Sequence, residues 1–152
     1  MIQMILGIVS LFSGAAFALQ SAVNGGLRTV TKNPIFASAA SLVTGLLLLP
    51  WMLILAHIFG IYEIPGMELL LAETQWWMYT GGTIGVIVLV GSIVIPKKIG
   101  FAPYFSLLVA GQLVGSVVAD AIGFMGNEVH LPGPVRIAGM ICLVVGAVLV
   151  QK

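Results

Sequence analysis

The chain has 152 residues, of which 60% are hydrophobic and 7% charged, with a formal net charge of +1 and a mean hydropathy of +1.17. Soluble domains carry about a quarter charged residues, so the composition argues against one, and no basic run is present to follow a nucleic-acid backbone. The single cysteine, Cys142, allows neither a disulfide nor a cysteine-based metal cluster within one copy and reads as packing.

Five stretches approach or exceed the roughly 20 apolar residues that span hydrocarbon, and only helices hide their backbone polar groups segment by segment. The chain therefore reads as all-α, a polytopic five-transmembrane-helix bundle forming one transmembrane domain over residues 1–152, with helices near 2–23, 34–59, 75–95, 101–125 and 134–150. In the first, Ala16-Phe17-Ala18 resembles a signal cleavage site. No Lys or Arg precedes it and the apolar stretch is long, so a retained helix is expected. Ser10, Ser13, Phe17, Gln20 and Asn24 recur along it at steps of three and four, beside a small-residue edge of Gly7, Gly14 and Ser21. Residues at that spacing share a face.

The second helix carries Ser38, Ser41 and Thr44 in its inner half and then Pro50, which removes a backbone donor. A kink near Leu46–Trp51, and with it a hinge or gate, is expected. In the loop Gly60–Thr74, Ile64-Pro65-Gly66 marks a turn and Met67–Ala72 a short surface helix. Trp76, Trp77 and Tyr79 then form an interfacial belt at the start of the third helix. Gly81, Gly82, Gly85 and Gly91 give that helix a packing surface, and Pro96 and Pro103 bracket a basic break at Lys97 and Lys98.

The fourth stretch contains the one carboxylate set within an apolar run, Asp120. Such a group is costly in a bilayer unless it serves a pathway or meets a partner. Gln112, Ser116 and Asp120 form a polar stripe beside a ridge of small residues, Gly111, Gly115, Ala119 and Gly123, suited to close helix approach. Counting about 1.5 Å per residue from Pro103 puts Gln112 near the midplane and Asp120 about 25 Å along, at the outer mouth. Gly139 and Gly146 give the fifth helix its packing face.

Arg28, Lys32, Lys97, Lys98 and Lys152 fall on one side and Arg136 on the other, which predicts the N-terminus outside and the C-terminus inside. His57 and His130 stand apart from any second ligand, so no metal and no cofactor are expected. No nucleophile elbow, phosphate loop or paired aspartates are present, so no catalytic residue is assigned and an enzyme is not expected.

Gln20-x-x-x-Asn24, the stretch from Pro34 to Ala40, Gly81-Gly82-x-x-Gly85, Pro96-x-x-Gly100, Gly111-Gln112, Asp120-x-x-Gly123, Arg136-x-x-Gly139 and Gly146 together resemble the YdcZ-type family of small bacterial inner-membrane proteins, within the drug/metabolite transporter superfamily. The likeness implies one half of a ten-helix architecture of two inverted repeats working by alternating access. A second five-helix subunit is then required, either a homodimer partner or an oppositely inserted paralogue. The expected function is a secondary transporter exporting a small metabolite or organic cation, with Asp120, Gln112, Ser116, Gln20, Asn24 and Ser13 along the route. The alternatives are a non-transporting subunit that stabilises a partner, or a lipid-carrier flippase.

Overall fold

The computed structural model describes residues 2–124 and 128–151, with the side chains of Leu69 and Leu71 left aside. Every regular element among these residues is helical: α1 (Ile2–Thr31), α2 (Pro34–Ile58), α3 (Met67–Glu73), a 3₁₀ turn (Trp76–Thr80), α4 (Gly81–Val94), α5 (Pro96–Ile99), α6 (Phe101–Ala121) and α7 (Pro134–Leu149). Four segments are long and apolar enough to cross a membrane: Ile2–Thr31, Pro34–Ile58, Trp76–Ile99 and Phe101–Ala121. The 16-residue α7 is equally apolar but runs only about 24 Å against a hydrocarbon core of about 30 Å. It can cross where the bilayer thins or its flanks complete the span. The polypeptide folds as two compact units, Met1–Val94 and Ile95–Lys152.

In the first unit α1, α2 and α4 pack against one another. The interior holds small and hydroxyl-bearing side chains: Ala37 (0% exposed), Ser21 and Ser92 (1% each) and Ser38 (2%), with Ile93 among them. Leu46, Leu47, Ile84 and Ile87 lie exposed. Lipid tails are as apolar as leucine, so little drives large side chains inward, and small residues let the backbones close.

α1 runs to Thr31, well beyond the expected end near residue 23. Asn24-Gly25-Gly26 reads as a break, yet Asn24 and Gly25 are buried and Arg28 Nη1 donates to the Ile93 carbonyl at 3.1 Å, so packing overrides propensity. The helix ends at Lys32, which takes a left-handed conformation with φ +57°. Asn33 then caps α2, its Oδ1 accepting from the Ile35 and Phe36 amides at 2.9 and 3.1 Å, with Pro34 in the first helical position. Pro50 lies inside an α2 that continues to Ile58, so the helix is not broken there, although the Leu46 carbonyl loses its usual amide partner.

At the far end of α4, Pro96 has no N–H to offer the Ser92 carbonyl four residues back. The Ser21 hydroxyl of α1 donates to that carbonyl instead. The third apolar stretch, expected as one helix from residue 75, starts as the 3₁₀ turn and becomes α-helical at Gly81.

In the second unit α5 turns into α6 at Gly100, whose φ of +95° suits glycine; an added Cβ would also meet Pro103 Cδ at 3.3 Å. α6 and α7 pack together, with Tyr104, Ala110, Val117 and Ala147 buried and the Ser106 hydroxyl donating to the Pro103 carbonyl at 2.9 Å. α6 stops at Ala121, short of the expected end at residue 125, which lies outside the described residues. Gly123, expected on the packing ridge, instead takes φ +60° beyond the helix end, a turn position.

Candidate functional site

The polar residues expected along one route divide between the units. Gln20 and Asn24 lie in the first; Gln112, Ser116 and Asp120 lie in the second. Ser13, also on α1, turns its hydroxyl back to the Val9 carbonyl at 2.9 Å and lines neither recess described below.

On the first unit, Gln20 Nε2 donates to Ser41 Oγ of α2 at 3.3 Å. This bond lies on the edge shared by two recesses. The smaller, about 340 Å³, is lined by Gln20, Asn24, Ser41 and Thr44 with Val23, Leu27 and Ala40. The larger, about 790 Å³, keeps Gln20 and Ser41 and continues along α2 and α4 past Leu46, Leu49, Val86 and Ile87 to Thr83 and Tyr79. One end is therefore polar and the other mostly apolar. Pro50 lines neither, though Leu46, whose carbonyl it deprives of an amide partner, does.

Asn24 is 6% exposed, and among the described residues its Nδ2 has no hydrogen-bond partner. A buried donor without an acceptor costs about 1–3 kcal/mol. Such a group marks a place where a partner is expected. Ser41 and Thr44, which complete this wall, were legible as helix-spaced polar residues of α2 but not as neighbours of Gln20, because a sequence fixes spacing within a helix and not register between two.

On the second unit, Arg136 Nη2 donates to Asp120 Oδ2 at 2.6 Å, with both side chains about half exposed (44% and 42%). The Asp120 carbonyl also accepts from the His130 amide at 2.9 Å. The expected polar stripe is otherwise open: Gln112 and Ser116 are exposed, and the Ser116 hydroxyl donates to its own helix at Leu113. Among the described residues nothing lies within 4 Å of a Cβ built on Gly81, Gly85, Gly111 or Gly115, so within its own unit each of these glycines makes no close helix contact through that face. Ala119 is half-buried. No group of three or more metal-ligating side chains occurs among the described residues.

These features define a polytopic helical membrane protein with a small, partly polar recess open on the surface of its first unit. The family described as "Putative inner membrane exporter, YdcZ" matches residues 5–149. The chain belongs to that family and is a multi-pass protein of the inner membrane. It is 34% identical over 90 residues to the inner membrane protein YdcZ of Escherichia coli (strain K12), a match covering 59% of each chain. No solved structure matches.

Proposed function

We propose that this protein exports a small molecule across the inner membrane, with the recess bounded by Gln20, Asn24, Ser41 and Thr44 as part of the route. The observation that carries the reading is the Asn24 amide, buried and unpartnered on the wall of that recess. The description of the family as an exporter supports the direction of transport. Asp120 supports a different role from substrate contact: its carboxylate is held by Arg136, as a latch between α6 and α7. Transport by alternating access, in partnership with a second five-helix chain, is part of this proposal.

Expression in a host lacking its own family member tests it. One or more small compounds should rise in the medium and fall in the cells, and Asn24→Leu should reduce that gain roughly three- to tenfold, the value of one lost hydrogen bond. A gain unaffected by Asn24→Leu moves the route away from this recess; no change in any compound removes the export reading.

The alternative of a non-transporting subunit draws on the open glycine edge of α6 at Gly111 and Gly115. It predicts that Gly115→Leu abolishes crosslinking to a partner chain while Asn24→Leu is without effect on the partner's activity.

A further inference from the structure

We infer that the paired recesses of the first unit take an uncharged molecule that joins a hydrogen-bond acceptor to an apolar body. The acceptor is received by Asn24 Nδ2 and the body by the larger recess. This rests on the reading of Gln20, Asn24 and Ser41 as the transport site and adds the chemistry of its ligand.

The charge class follows from what lines the walls. Among the described residues no acidic or basic side chain lines either recess, and the one titratable group there, the Tyr79 phenol, shares a hydrogen bond with the Thr74 hydroxyl at 2.9 Å. A charged ligand leaving water for such walls costs several kcal/mol without a counter-charge. The carboxylate best suited to a cation, Asp120, belongs to the other unit and is paired. Arg28, one turn from Asn24 on α1, lines neither recess and donates to the Ile93 carbonyl. An organic cation, one of the two substrate classes expected from the sequence, finds nothing here to neutralise it.

The acceptor follows from Asn24. Its Nδ2 is covered in this conformation, so engaging it takes a rotation of the amide. A ligand acceptor that meets the turned amide relieves the penalty of an orphaned buried donor. The Gln20–Ser41 bond borders the larger recess, whose lining beyond Tyr79, Thr83 and these two residues is apolar. A molecule seated across the shared edge places its polar end toward Asn24 and its apolar end along Leu46, Leu49 and Val86.

Three probes with one phenyl body test this: benzamide, benzylammonium and benzoate, titrated onto the full chain in lipid nanodiscs by saturation-transfer NMR. The measurement is repeated on Asn24→Leu, a substitution with the same branching and no polar atom. Benzamide should bind saturably and at least about threefold more tightly than either ion, and Asn24→Leu should weaken it roughly three- to tenfold. The melting temperature of Asn24→Leu should be unchanged or raised, because an orphan donor has been removed; a purely structural asparagine would lower it. Tighter binding of either ion, still sensitive to Asn24→Leu, overturns the charge class and leaves the site standing. Binding of all three that ignores Asn24→Leu overturns the site itself, as does saturable binding of none.

Discussion

Asp120 and Arg136 each sit at the helix pole that suits them least. The carboxylate lies in the last turn of α6, where the macrodipole is negative, and the guanidinium in the first turn of α7, where it is positive. Each placement costs about 0.3–1 kcal/mol, and the 2.6 Å pair offsets part of that cost. Half-exposed pairs are worth little on their own, about 0–1 kcal/mol. Asp120→Asn should therefore lower the unfolding free energy by no more than about 1 kcal/mol, whereas the exchange Asp120→Arg with Arg136→Asp should be at least as stable as the natural chain. Unfolding titrations of the two variants measure this; an exchanged pair clearly less stable than either single substitution contradicts it. The partner was legible: Arg136 lies two residues inside one helix and Asp120 one residue before the end of its antiparallel neighbour. Reading Arg136 only for its topological bias concealed the match.

At the scale of elements, proline and glycine mark the boundaries that the sequence predicts well. Pro34 and Pro134 open α2 and α7 where expected, since a fixed φ and a missing N–H are harmless at a helix start. The boundaries that depend on a neighbour were not legible. α1 passes through Gly25 and Gly26 because Ser21 and Arg28 find α4, which no local pattern encodes. That contact also makes a prediction. Ser21→Ala leaves the Ser92 carbonyl short of a donor and should destabilise the protein by about 1–3 kcal/mol, but by much less in a Pro96→Ala background, where the helix regains its own N–H. A double-mutant cycle of unfolding free energies reads the coupling; purely additive costs contradict the account.

For the whole molecule, composition alone was enough for the class, and the family that the dispersed polar and glycine motifs resemble is the one that matches residues 5–149. The distribution of basic residues along the sequence predicts the orientation, with Arg28, Lys32, Lys97 and Lys98 expected in the cytoplasm. A reporter active only in the cytoplasm should work when fused after Lys152 and fail when inserted after Glu63; the reverse result inverts the topology. What the sequence could not place was the site, because its polar residues face one another only once α1 and α2 take their register at Gln20 and Ser41. Transport through that recess requires water to reach it. In a Cys142→Ser background, Thr44→Cys on the recess wall and Leu47→Cys on an exposed apolar face can be exposed to a charged, membrane-impermeant thiosulfonate. Thr44→Cys should react at least about tenfold faster than Leu47→Cys, since a thiol must reach water to ionise and attack. Equal or slower labelling of Thr44→Cys would show the recess dry and sealed, and the route proposed through Asn24 could not exist.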